Sequence, residues 1–136
     1  MRTITLITDF GWEDAYVAAM KGVILGLAPG VTLVDVSHQV PPQDILHAAL
    51  LLEGILPYYP PQTIHLLVVD PGVGTERRPI AIRTEQALFV GPDNGVLTPA
   101  LDVPGEKVVV HLRESRFFRH PVSQTFHGRD IFAPVA

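Results

Sequence analysis

The 136-residue chain contains no cysteine, which excludes disulfides and thiolate metal sites outright and leaves the redox compartment open. It has no long apolar run. Every candidate is broken by Gly54, Pro57 or Asp70 well short of the roughly 20 residues that span a bilayer, so no membrane partner is expected. No run of a single charge sign is present either. With 10 Lys and Arg against 14 Asp and Glu, the formal charge of -4 is dispersed, and nothing in the chain could track a phosphate backbone. Nucleic acid is therefore not an expected partner. Internal repeats, low-complexity stretches and a secretory leader are also missing. Met1-Arg2-Thr3 leads straight into a strand-like run, Ile4 to Thr8, which makes the cytoplasm the expected compartment. What is present, a hydrophobic fraction of 47% in a chain of this length, suffices for one buried core and predicts a single soluble domain over residues 1–136.

Thr3 to Thr8 alternates and is rich in β-branched residues, whereas Tyr16/Val17, Met20, Val23/Ile24 and Leu27 recur at helical spacing until Pro29-Gly30 stops them. The cycle repeats with a strand at Val31 to Val36 and a helical face at Ile45, Ala48/Ala49, Leu52 and Ile55/Leu56, closed by Pro57. A third strand is expected at Ile64 to Val69. Strands separated by helical stretches of this length imply right-handed crossovers, hence an α/β fold whose mostly parallel sheet is flanked by helices on both faces. Beyond Asp70 the rhythm shortens. Pro79 to Arg83, Ala87 to Val90 and Lys107 to Leu112 read as short strands of a mixed sheet edge, and Gly128 to Ala136 reads as the first turns of a helix with no Gly or Asn cap.

Ligands of open α/β sheets bind beyond the carboxyl ends of the parallel strands, so the polar residues just after each strand are the candidates. After the first strand come Asp9 and, at the mouth of the first helix, Asp14. They read either as helix caps or as a carboxylate pair suited to vicinal hydroxyls or a ligand ammonium group. After the second come Asp35-Val36-Ser37-His38, plain loop hydrogen-bonders or catalytic groups; no nucleophile elbow surrounds Ser37.

After the third strand, Val68-Val69-Asp70-Pro71-Gly72-Val73-Gly74-Thr75-Glu76-Arg77-Arg78 delivers an aspartate to a Pro-Gly turn. An arginine returns seven residues later, and of the adjacent pair Arg77/Arg78 one is expected to meet Asp70. The loop lacks the Gly-Lys-Ser/Thr ending that handles nucleotide triphosphates, and its plain reading is a turn with a surface salt bridge. Finally, Thr125-Phe126-His127-Gly128-Arg129-Asp130 puts a histidine before a helix start, where the dipole is expected to keep the ring neutral and useful as a base or acceptor. Arg129 and Asp130 read as helix decoration.

Together, Thr8-Asp9-Phe10-Gly11, Asp35-Val36-Ser37-His38, Val69-Asp70-Pro71-Gly72-Val73-Gly74, Gly91-Pro92-Asp93-Asn94-Gly95 and Thr125-Phe126-His127-Gly128-Arg129-Asp130 occur in the order found in SAM hydroxide adenosyltransferases. The chain resembles the N-terminal domain of that family, relatives of the fluorinases and chlorinases, over essentially its whole length. The resemblance implies cleavage of S-adenosyl-L-methionine (SAM) by water to adenosine and L-methionine. It implies a catalytic set of Asp70, Arg77 and His127, ribose hydroxyls on Asp9 with Phe10 beside it in the substrate site, and the methionine amino group on Asp14. Fluorinases carry a tyrosine where this chain has Asp70, which favours the hydrolytic branch. The resemblance further implies a homotrimer, a site closed by a β-rich C-terminal domain from a neighbouring subunit, and no cofactor or metal.

The chemistry suits these residues. Attack at ribose C5′ expels a neutral thioether from a sulfonium, so the leaving group needs no general acid. The protein must supply an oriented, poorly solvated water instead. Two other readings stay open at this point: a metal-dependent hydrolase site built from Asp9, Asp70 and His127, and a SAM or adenosine binding module without turnover.

Overall fold

The computed structural model describes residues 2–73 and 75–136; Gly74, in the loop after Asp70, lies outside the described residues. The chain runs β1 (Thr3–Thr8), α1 (Tyr16–Leu27), β2 (Thr32–Ser37), α2 (Ile45–Ile55), β3 (Thr63–Val68), β4 (Pro79–Arg83), β5 (Ala87–Pro92), α3 (Thr98–Leu101), β6 (Val108–His111) and α4 (Ala133–Val135). The strands form one six-stranded sheet in the order β2-β1-β3-β5-β4-β6. β1, β2, β3 and β5 are parallel, and β4 runs antiparallel to both β5 and β6. The fold is therefore α/β with a mixed edge, as the change of rhythm after Asp70 predicts.

Alternation along the central strands builds two cores. Ile4 and Leu6 of β1 with Ile64, Leu66 and Val68 of β3 face α1 (Met20, Ile24), Phe132, and Ala133 of α4. Ile7 with Leu67 and Val69 faces α2 (Ala48, Leu52) and Ala100 of α3. All of these are buried, and at roughly 1.5–3 kcal/mol for each large apolar side chain their burial is the main force holding the helices to the sheet. β3 and β5 approach closely at Gly91, where a Cβ would stand 2.8 Å from the carbonyl oxygen of Leu67, so glycine is required there. Polar side chains are buried too, Thr5 and His65 among them. Thr5 Oγ1 and His65 Nδ1 are 2.7 Å apart, and burial pushes the His65 pKa down to about 4.

Several local expectations are corrected. Neither Asp9 nor Asp14 caps α1, whose N-cap is Ala15 with no side-chain hydrogen bond; the chain bends through residues 12–15 before the helix begins. The capping carboxylate belongs to α2, where Asp44 Oδ1 accepts from the backbone N–H of His47 at 3.0 Å. β6 is shorter than its apolar run and lies exposed at the sheet edge. The helix expected from Gly128 opens as a π-helical turn, Gly128–Phe132, before α4. There Gly128 lets the turn press against the tip of Phe10, Val68 and Met20, which a Cβ would meet at 3.0, 3.2 and 3.5 Å.

Candidate functional site

The chain leaves β1 for β2 on one side and returns through α2 to β3 on the other, so β1 and β3 flank the topological switch point where α/β sheets place ligands. Asp9 and Phe10 emerge from the end of β1 there, and Val68 and Asp70 from the end of β3. Together with Val73, Thr125, Phe126, His127 and Gly128 they line a cleft of about 60 Å³. A larger hollow at the opposite ends of the strands, lined by Arg2, Thr3, Gln62 and Thr63, carries no cluster of titratable groups among the described residues.

Asp70, Arg77 and His127 are brought together. Arg77 Nε donates to Asp70 Oδ1 at 2.8 Å, and its Nη2 donates both to Asp70 Oδ2 and to His127 Nδ1, the latter at 2.8 Å. The side chains of Asp70 and Arg77 are only 5% and 10% exposed, so the pair is held in a largely desolvated fork, and the guanidinium also lies 5.5 Å over the ring of Phe132. The adjacent Arg78 points away, to Asp93 at 3.1 Å, so a single arginine of the pair meets Asp70, as expected.

An arginine has no acceptor to offer, so His127 Nδ1 is the acceptor and the neutral ring carries its proton on Nε2. Burial first and the Arg77 cation second push the His127 pKa below its ordinary value, against the opposing pull of Asp70, the Ser123 backbone and Asp130. The ring is thus neutral as expected. The causes are burial and a neighbouring cation rather than the start of a regular helix, and the acceptor nitrogen is already taken.

Of the other predicted positions, Asp9 reaches the cleft and its Oδ2 accepts from the backbone N–H of Gln43 at 2.9 Å, leaving Oδ1 for a ligand. Phe10 packs edge-on to Phe126 with ring centroids 5.8 Å apart and forms part of the apolar wall. Asp14 is not drawn in; it lies exposed on the turn before α1. Among the described residues no group of three His, Asp or Glu side chains is arranged to hold an ion, Asp9, Asp70 and His127 included.

The sequence profile of the SAM hydroxide adenosyltransferase N-terminal domain matches residues 4–136. The chain belongs to this family. It is similar to proteins named (R)-S-adenosyl-L-methionine hydrolase, among them one from Salinispora tropica at 48% identity over 98% of this chain and 51% of that protein. A protein named fluorinase from an Actinoplanes species is more distant, at 26% identity over 96% of this chain and 51% of its own length. In structure the chain superposes with a TM-score of 0.93 on the crystal structure of an uncharacterized conserved protein from Thermotoga maritima, at 40% identity, covering 97% of this chain and 52% of that one. The chain spans about half the length of the curated relatives it matches.

The burial of two polar residues is not visible in the motifs. Asp130, which reads in sequence as helix decoration, is fully buried and is gripped by Arg129 at 2.7 and 3.0 Å, by Arg119 at 3.3 Å and by the backbone N–H of Ser123 at 2.8 Å. Burial alone would raise its pKa; the Arg129 hydrogen bond and the Ser123 contacts outweigh it and bring it to about 2. Asp130 thereby closes the loop that carries His127. The other is His38, buried between Asp35 and Thr8. In sequence a buried carboxylate and a surface one look alike, and only the apolar Ile131-Phe132-Ala133 after Asp130 hints that the segment turns inward.

Proposed function

We propose that this cleft cleaves SAM with water to give adenosine and L-methionine. The observation that carries the proposal is the Asp70–Arg77–His127 cluster at the switch point, in a chain whose relatives at 42–48% identity are named (R)-S-adenosyl-L-methionine hydrolase. The water oxygen attacks ribose C5′ and the C5′–S bond breaks with its electron pair going to sulfur. The sulfonium charge is replaced by the proton that the water releases. A carboxylate offers about four acceptor sites, and Arg77 occupies two of those on Asp70 among the described residues, so Asp70 can still orient the water and receive its proton. His127, with Nδ1 engaged, presents its Nε2–H as a donor and holds the far side of the Arg77 fork. Asp9 holds the ribose hydroxyls through Oδ1, Phe10 and Phe126 wall off the sugar face, and Asp14 meets the methionine ammonium at the rim.

No metal or cofactor enters this scheme. A cleft of about 60 Å³ is far smaller than the roughly 300 Å³ or more of sites that enclose a small molecule, so the substrate must be covered from outside. That supports the wider proposal: residues 1–136 are the catalytic N-terminal domain, and a β-rich domain of a neighbouring subunit closes the site in a homotrimer. No helix of the described residues is long and apolar enough to cross a membrane, and the cytoplasm is the proposed setting.

The test is incubation of the intact protein with SAM in H₂¹⁸O and a chelator. Adenosine carrying ¹⁸O at its 5′-hydroxyl, with unlabelled methionine, is the expected result. Tight SAM binding without product would point to the binding module instead.

A further inference from the structure

The Asp35-Val36-Ser37-His38 segment has no part in the hydrolytic scheme, yet it supplies a continuous chain of hydrogen bonds that ends on the substrate loop. Lys21 Nζ donates to Asp35 Oδ2 at 2.7 Å, and Asp35 Oδ1 lies 2.6 Å from His38 Nε2. His38 Nδ1 lies 2.7 Å from Thr8 Oγ1, which also accepts from the backbone N–H of Phe10 at 3.3 Å. We propose that Lys21, Asp35, His38 and Thr8 act as a positioning chain that sets the Asp9–Phe10 loop to receive substrate, a proposal that rests on the hydrolase reading above.

The direction of the chain is determined at every link. A carboxylate only accepts, so His38 Nε2 carries a proton and donates it to Asp35; the neutral ring then has Nδ1 as its acceptor, and the Thr8 hydroxyl must donate to it. The same hydroxyl oxygen is left with its lone pairs for the Phe10 N–H. Burial, against the pull of Asp35, pushes the His38 pKa down and keeps the ring in this neutral state. Both His38 and Thr8 are fully enclosed, at 1% and 0% exposure, so the link between them is made without competition from water. Trp12 closes the outer side, its ring edge-on to His38 at 4.7 Å. A second tie reinforces the first, since the backbone N–H of Gly11 donates to the His38 carbonyl at 2.7 Å.

Packing alone does not call for this arrangement. A valine at position 8 would fill the volume of Thr8 without burying a hydroxyl, and an apolar residue at 38 would need no carboxylate partner. What the polar chain adds is a fixed orientation for the two residues after Thr8, both of which line the cleft.

The test compares Thr8→Val, Thr8→Ser and Asp35→Ala with the parent in the intact protein, measuring kcat and KM for SAM, adenosine affinity and hydrogen exchange at the Phe10 amide. The expected result is a rise in KM and a loss of adenosine affinity of roughly tenfold in Thr8→Val and severalfold in Asp35→Ala. Changes in kcat stay within a few-fold, Phe10 exchange is faster, and Thr8→Ser is close to the parent. Equal effects of the Val and Ser variants, or an unchanged KM in Asp35→Ala, would overturn the chain. Asp35 is partly exposed, so its variant carries the test if Thr8→Val does not fold. A parent protein that does not turn SAM over would defeat the hydrolase reading; Phe10 exchange and adenosine affinity would then still decide the chain, unchanged values in Asp35→Ala overturning it.

Discussion

Arg77 Nη2 stands 2.8 Å from Nδ1 of His127 while the same guanidinium grips both oxygens of Asp70, so the arginine and not the histidine is the centre of the cluster. Arg77→Lys keeps the charge, but one ammonium group cannot fork a carboxylate and reach an imidazole together. The expected outcome is a loss in kcat on the order of 100-fold with little change in melting temperature. The ¹⁵N shifts of the His127 ring should also report the lost donor at Nδ1. An unchanged kcat would mean that the fork is not needed for turnover.

Gly128 presses the π-helical turn against Phe10. Its Cβ would meet the Phe10 tip at 3.0 Å and Val68 at 3.2 Å, and neither neighbour can withdraw without moving the cleft wall. Gly128→Ala is expected to cost about 1–3 kcal/mol of stability and to raise KM for SAM roughly tenfold. Thermal melts and steady-state kinetics check both; an unchanged KM would show that the Phe10 position does not control substrate binding.

His65, His38 and His127 all have folded-state pKa values below the ordinary 6.5, His65 down to about 4. An unfolded chain then binds more protons than the folded one between those values. Stability is therefore complete above pH 6.5 and is lost as the pH falls toward 4. For His65 alone the loss at pH 5 is about 2 kcal/mol. Asp130, lowered to about 2, adds its own loss only below the ordinary carboxylate range. Denaturant melts at pH 7.5 and 5, on the parent and His65→Gln, should show a smaller acid loss in the variant; equal losses would assign the acid sensitivity elsewhere.

Much of the fold was legible because period and breakers agree: Met20 and Ile24 at helical spacing before Pro29-Gly30 report the buried face of α1, and the β-branched run Thr3 to Thr8 marks a strand, which is buried on both faces. The cluster was legible as motifs, and the spacing of Asp70 and Arg77 pointed to their pairing. The order of contacts was not, because which group stands in the middle depends on the path of the loop between them rather than on residue identity. The cap reading of Asp14 failed for the same reason: a carboxylate before a helix usually caps it, and here the chain bends through residues 12–15 and leaves Ala15 at the N-cap. The burial of Asp130 and His38 was hidden because polar residues go inside only when partners far away in sequence, such as Arg119 and Thr8, are brought to meet them.

The most direct test of the hydrolytic site is the rate of adenosine and methionine formation from SAM by the intact protein and by Asp70→Asn, both with a chelator present and with adenosine affinity measured alongside. The account predicts equimolar products from the parent, and in the variant a rate lower by roughly 100-fold or more with affinity nearly unchanged. Turnover by Asp70→Asn at the parent rate would contradict it.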